Sequence, residues 1–152
     1  MSSGSSIGRW ISILYRYRLN YLGKRLEPYN IGSGQHFFLR VLFDKDGINQ
    51  EELSDFLKID KATTAKAIKK LEKEGYVVRK VDVMDKRAYQ VFLTNKALNV
   101  IPIIDKAVKD WEELIAEGLS LPEKVLVEEL LGKMAQNACR IKGKEGNRFE
   151  TI

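Results

Sequence analysis

A mainly α chain with one small β-hairpin is predicted by three features of the sequence. Residues 49–74 divide into two capped helical stretches joined by a short turn, and residues 76–94 into two β-branched, aromatic runs joined by a polar tip. Apolar residues at helical spacing fill the stretches on either side. Helix, turn, helix and then hairpin is the layout of a winged helix-turn-helix lobe. It is expected over residues 35–94, with one helix and a loop over 7–34 and further helices over 95–152. Residues 1–6, Ser- and Gly-rich, are expected as a flexible tail.

Each element has its own signal. Ile7, Trp10, Ile11, Leu14, Tyr15, Leu19 and Leu22 recur at helical spacing and predict an amphipathic helix over Ile7 to Leu26, ending near Pro28. Asn30 to Gly34 reads as a loop; its Gly-Ser-Gly is a turn signal, because no strand precedes it and no phosphate-loop lysine follows. Gln35 to Phe43 is a short apolar helix closed by Asp44 to Gly47. Asn49 is placed as an N-cap, with Glu52 three residues on completing a capping box, and Leu53, Phe56 and Leu57 are expected to be its buried side. Ile59 and Asp60 make the turn, Asp60 capping a helix from Lys61 to Glu74 that stops at Gly75.

On that second helix Thr64, Ala67, Ile68 and Leu71 share one side, while Ala62, Lys66, Lys69 and Lys73 share the other, flanked by Thr63 and Lys70. Tyr76 to Val81 and Tyr89 to Thr94 predict paired strands around a tip from Asp82 to Ala88. Thr94 caps a helix running toward Glu117, with Pro102 bending it. Ser120, with Glu123, starts a last helix bearing Val125, Val127, Leu130, Leu131, Met134, Ala138 and Ile141.

Charge is concentrated where the motif is. Residues 61–90 hold nine Lys and Arg against four acids, a net +5 that equals the net charge of the whole chain. A localised positive surface points to a polyanionic partner, here double-stranded DNA. Short side chains at Ala62 and Thr63 let the helix end approach base edges, and Lys66 is placed for a guanine or a phosphate. Lys69, Lys70 and Lys73 suit backbone phosphates, which set affinity and salt dependence more than sequence choice. At the tip, Arg87 is placed to enter an adjacent minor groove with Asp85 holding it extended; the alternative is a surface ion pair that fixes the turn.

The same residues limit other functions. One histidine and one cysteine cannot build a His/Cys metal cluster, and no nucleophile elbow or Ser/His/Asp set is recognisable, so no metal, no cofactor and no enzyme activity is expected. A single cysteine forms no intrachain disulfide, and no apolar run approaches the roughly 18 residues that span a bilayer, so no membrane association is expected and the setting is expected to be cytoplasmic. His36 is expected to be a satisfied helix-end histidine and Cys139 a packing residue. Long amphipathic helices flanking a small lobe carry more apolar surface than that lobe can cover, which predicts a two-fold homodimer.

Leu71-Glu72-Lys73-Glu74-Gly75-Tyr76-Val77-Val78-Arg79, followed by Asp82, Asp85-Lys86-Arg87-Ala88 and Val91-Phe92-Leu93-Thr94, resembles the MarR/SlyA family of prokaryotic winged-helix regulators. The resemblance is specific over residues 49–94, and the flanking helices agree with the family layout. It implies a homodimeric regulator, a repressor by preference, whose terminal helices interlock and whose lobes straddle a pseudo-palindromic operator. It implies Arg87 as the wing-tip arginine with Asp85 as its partner, Lys86 beside them, and Lys61, Thr63, Thr64 and Lys66 as exposed positions early in the recognition helix. Where many members carry Thr-Arg, this chain has Ala65-Lys66, so a bidentate guanine contact gives way to a point charge. Redox-sensing members carry their cysteine in the first helix, unlike Cys139. Family members also bind small aromatic carboxylates or phenols in a crevice, for which Tyr15, Arg16, Arg18, His36 and Phe37 are the candidates here. The competing expectations are a sequence-tolerant architectural DNA-binding protein and a winged-helix protein-interaction module.

Overall fold

The computed structural model describes residues 6–145. Among these the chain is mostly helical, with a single two-stranded antiparallel sheet. The described residues divide into two compact units, one up to Trp111 and one from Glu112.

In the first unit, α1 (Ile7–Leu26) starts at Ser6, whose hydroxyl accepts from the Arg9 N–H at 3.2 Å. Ser6 is therefore a helix cap rather than part of the expected tail, and Ser2 to Ser5 lie outside the described residues. Lys24 and Arg25 in the last turn complement the carbonyl end of the helix. Only Leu22 and Leu26 of α1 are buried, while Ile7, Trp10, Ile11 and Leu14 stay exposed. The apolar stripe is present as expected, and its N-terminal half is uncovered in a single chain.

A 3₁₀ turn, Glu27–Tyr29, leads to Asn30 in the left-handed region (φ 56°) and then to α2 (His36–Asp44), which buries Phe38, Leu39 and Leu42. Next, α3 (Gln50–Leu57) is capped by Asn49, but through the Glu51 N–H at 2.8 Å rather than through a capping box with Glu52. Leu53 is buried and Leu57 packs on the core, whereas Phe56 is 54% exposed under the Lys45 ammonium, contrary to its expected burial. Seven residues after Leu53, Asp60 caps α4 (Lys61–Lys73), and Gly75 (φ 80°) reverses the chain after it.

The hairpin of β1 (Val77–Val81) and β2 (Tyr89–Leu93) pairs Val77 with Leu93 and Val81 with Tyr89. A third segment joins it: the Gly47 N–H donates to the Val91 carbonyl at 2.9 Å, the Val91 N–H to Ile48 at 3.0 Å, and Asn49 bridges Gln90. Gly47 has φ 82°, and a Cβ there would meet the Phe92 ring at 2.8 Å, so both conformation and space call for glycine. The segment that follows the expected helix stop at Asp44 to Gly47 thus runs along β2.

Thr94 closes the hairpin and opens α5 (Asn95–Ile115): its hydroxyl donates to the Gly75 carbonyl at 2.6 Å and accepts from the Ala97 N–H at 3.3 Å. Pro102 lies inside α5 without ending it. Val100, Ile101 and Ile104 join Leu26, Leu39, Leu42, Ile68, Leu71 and Val91 in one core. Buried Tyr76 crosses it, its hydroxyl donating to the Tyr29 carbonyl. Two ion pairs fasten α5 to the other helices, Arg25 to Asp110 at 3.0 Å and Arg40 to Asp105 at 3.1 Å.

The second unit holds the end of α5 and α6 (Leu121–Glu145). Here the expected capping box forms in full: the Ser120 N–H donates to Glu123 at 2.7 Å and the Glu123 N–H to the Ser120 hydroxyl at 3.3 Å. Along α6 Leu121, Val125, Val127, Leu130, Leu131 and Ile141 are exposed, and so is Cys139, which was expected to pack. Among the described residues no helix is long and apolar enough to cross a membrane.

Candidate nucleic-acid interface

The start of α4 is set by Asp60. Its carboxylate accepts from the Thr63 N–H at 2.8 Å and from the Thr63 hydroxyl at 2.6 Å, and these donors hold it below the usual carboxylate range. With its N-terminal turn fixed, α4 presents Lys61, Ala62, Thr63, Lys66, Lys69, Lys70 and Lys73 to solvent, and Ala65 is half-buried. Thr64 corrects the expectation of an exposed position. It is fully buried, and its hydroxyl has no partner among the described residues. The wheel predicts this better than the family pattern, since Thr64 lies on the same side as Ile68 and Leu71.

Two of the exposed positions are occupied in the free protein. The Lys61 ammonium lies 2.6 Å from Glu51 of α3, and the Thr63 hydroxyl is held by Asp60. Lys66, Lys69, Lys70 and Lys73 surround one shallow hollow together with Glu72. The positive face of α4 is therefore strongest from its middle to its end.

The hairpin tip is pinned by its acids. Asp82 accepts from the Met84 N–H at 2.8 Å and, more weakly, from the Asn49 amide at 3.4 Å. The Met84 bond is the main cause that holds the Asp82 carboxyl below its ordinary range. The Asp82 N–H donates to the Ala88 carbonyl, and the Ala88 N–H to the Asp85 carbonyl, both at 3.0 Å. Asp85 accepts from the Arg87 backbone N–H at 3.0 Å, so it shapes the turn rather than pairing with the Arg87 guanidinium as expected. Arg87 and Lys86 are exposed. A cleft of about 460 Å³ between the wing tip and the starts of α3 and α4 brings Arg87 and Lys61 to one place, with Asn49, Gln50, Glu51, Asp85 and Tyr89 in its wall.

One structural group escaped the sequence reading. Arg79 of β1 makes two bonds to Glu72 of α4, at 3.1 and 3.2 Å, and its guanidinium lies 4.8 Å from the Tyr89 ring. The Arg79 bond holds the Glu72 carboxyl below its usual range, and Glu72 raises the Arg79 pKa. This brace ties α4 to both strands of the wing, and it removes Arg79 from the cations available to a polyanion. Their separation of seven residues crosses a helix end, a glycine turn and a strand start, so no regular period marks it.

Of the candidate effector residues, the structure gathers three. The Arg18 guanidinium lies 4.8 Å over the Phe37 ring, and the His36 ring centroid is 4.0 Å from that of Phe37. Tyr15 and Arg16 are exposed on α1. His36 is not the satisfied histidine expected: it is 2% exposed, and neither ring nitrogen has a hydrogen-bond partner among the described residues. Burial, and then the Arg18 charge, push its pKa down to about 4.

A pH effect follows. The unfolded chain takes up a proton on this histidine near pH 6.5 and the folded chain only near 4, so the contribution of neutral His36 is whole above pH 6.5 and is lost as pH falls toward 4. At about 1.4 kcal/mol per pH unit, roughly 2 kcal/mol disappears between pH 6.5 and 5. His36 is the chain's single histidine. Denaturant titrations should show this loss in the native chain and a nearly flat profile for His36→Phe; parallel profiles would contradict the assignment.

Comparison with known proteins agrees with this geometry. The MarR family model matches residues 31–89. An uncharacterized HTH-type transcriptional regulator of Bacillus subtilis (strain 168), YybA, is 32% identical over 111 residues, covering 73% of this chain and 74% of its own. The crystal structure of a MarR transcriptional regulator from Methanosarcina mazei Go1 is 48% identical with a TM-score of 0.84, covering 89% of this chain and 97% of that one. A putative MarR family regulator from Listeria monocytogenes, solved in complex with a 26mer DNA, is 28% identical with a TM-score of 0.85, covering 95% and 98%. With its winged lobe, its wing-tip arginine and these relatives, the chain belongs to the MarR family of transcriptional regulators.

Proposed function

We propose that this chain acts as a homodimer that binds a pseudo-palindromic DNA operator and represses transcription by occluding it. The observation that carries this reading is the exposed lysine face of α4 beside the pinned wing tip with Arg87. The Listeria relative's DNA complex supports the partner. Each copy lays α4 in a major groove, the two grooves about one helical turn apart, and sets Arg87 in a flanking minor groove. Lys66, near the middle of α4, reaches base edges, helped by Ala62 and Thr63. Lys61 and Thr63 exchange their acidic partners for DNA, and Lys69, Lys70, Lys73 and Lys86 meet phosphates.

Helix α1 (with residues to 34) and the helices of residues 95–152 form the dimer stem in this proposal, because their exposed apolar residues need a cover that a second copy supplies. The crevice holding Arg18, His36 and Phe37 takes a small aromatic anion whose binding weakens the grip on DNA.

Gel retardation on a duplex selected by the protein tests the division of α4. Lys66→Ala should change which base pairs are preferred, and Lys73→Ala should reduce the salt slope by about 1 while leaving the preference intact. Indistinguishable effects of the two would reject the division. Adding salicylate to the same assay should weaken retardation; unchanged retardation would remove the effector from the account.

A further inference from the structure

The tip of the wing carries the two most exposed large apolar side chains of the described residues, Val83 at 88% and Met84 at 94%. We propose that Met84 is a minor-groove contact, its side chain entering the groove beside Arg87 and packing against the deoxyribose walls. This rests on the DNA-binding reading above and adds to it a contact that carries no charge.

Three observations lead to it. First, the exposure is built in rather than the slack of a loose loop: the Met84 N–H is held by Asp82 at 2.8 Å, and the Asp82–Ala88 and Ala88–Asp85 backbone bonds close the turn around it. Asp82 is itself reached by the Asn49 amide, so the tip is tied to the cap of α3. The backbone that carries Met84 is thereby fixed, so burying the side chain orders its own rotors and not the turn.

Second, the surroundings choose the partner. Met84 lies in a stretch, 80–87, whose three cations, Lys80, Lys86 and Arg87, outnumber its two acids, Asp82 and Asp85, each of which accepts from a backbone N–H of the tip; a net-positive, partly apolar tip suits a surface that is anionic outside and apolar within. The minor groove has that build, phosphates along its edges and sugars for its walls.

Third, the shape fits. An unbranched, flexible thioether enters a groove about 6 Å wide more easily than a branched or aromatic side chain, and apolar side chains placed in minor grooves are an established way to hold or kink a duplex. In the free protein Met84 gains nothing from folding, since it is as open to water as in the unfolded chain.

The contact has a signature that separates it from every lysine and arginine nearby. Burying a methionine releases no counterions, so its loss lowers affinity at every salt concentration by the same factor. The experiment is a salt titration of binding by the full chain, its Met84→Gln and its Met84→Leu variants. The probe is the duplex that the native chain enriches from a random-sequence pool. Glutamine should weaken binding about tenfold or more with the salt slope unchanged, and leucine, still apolar, should stay within about threefold of the native chain. Equal affinity of Met84→Gln and the native chain would overturn the proposal, as would a loss accompanied by a salt slope lower by about 1, or an equal loss with leucine. A native chain that enriches no duplex at all would overturn the regulator reading itself, which is a different result.

Discussion

Replacing Arg87 by alanine lowers affinity for the selected duplex by about a hundredfold and reduces the salt slope by about 2 per dimer, one for each wing. The size follows from the chemistry of the contact. A guanidinium in a narrow minor groove makes charge-assisted bonds worth about 1.5 to 3 kcal/mol each, and the proposed dimer would make two such contacts, so a hundredfold is the lower end of the expected loss. The structure leaves Arg87 ready for this. Its side chain is exposed, its neighbour Asp85 accepts from its backbone N–H, and the tip is closed by the Asp82 and Ala88 bonds. The thermal midpoint should not move, because an exposed tip residue contributes little to folding. Unaltered affinity at moderate salt would remove the wing from the interface, and a lowered midpoint would mean that Arg87 works through the fold.

The second large effect is expected on α1. Leu14→Asp places a carboxylate on the exposed apolar stripe of Ile7, Trp10, Ile11 and Leu14, a face a single chain leaves in water. In a lone chain the change is nearly neutral. In a dimer whose stem buries that stripe, an unpaired carboxylate costs several kcal/mol, enough to separate the copies at micromolar concentration. Separation then costs DNA affinity far more than any one contact, because two linked half-sites bind with an effective concentration that a single lobe lacks; the loss is on the order of 10² to 10⁴. Sedimentation equilibrium should give about twice the chain mass for the native protein and the single-chain mass for the variant. A variant that keeps the double mass would place the dimer contact elsewhere, and a native chain of single mass would discard the stem.

The elements that were legible in the sequence are those whose signals are local. The limits of α1 follow from the apolar spacing between Ile7 and Leu22 and the stop at Pro28, and the start of α6 from Ser120 and Glu123, whose reciprocal bonds form as expected. Asp60 and Gly75 bracket α4 to within a residue.

What escaped depends on contacts between residues far apart or on competition for one acceptor. The Arg79 guanidinium counted as a free cation until the glycine turn brought Glu72 beneath it. Gly47 read as a helix stop, whereas the packing of Phe92 from 45 residues later decides its role. Asp85 had both an arginine side chain and an arginine N–H within reach, and the tight turn gave it to the backbone. His36 was expected to be satisfied because buried polar groups usually are, yet both its nitrogens lack hydrogen-bond partners among the described residues. Thr64 shows two sequence signals in conflict, a helical face against a family position, and burial follows the face. Among candidate site residues, the exposure of the α4 lysines was legible because it follows from helical periodicity; the Arg79–Glu72 brace between α4 and the hairpin was not.

Selection of bound fragments from random DNA by the full chain tests the central claim most directly. A symmetric dimer that places α4 in successive major grooves predicts an enriched motif with two-fold symmetry and half-site centres about 10 base pairs apart. A single unsymmetric half-site, or retention of DNA with no enriched motif, would contradict it.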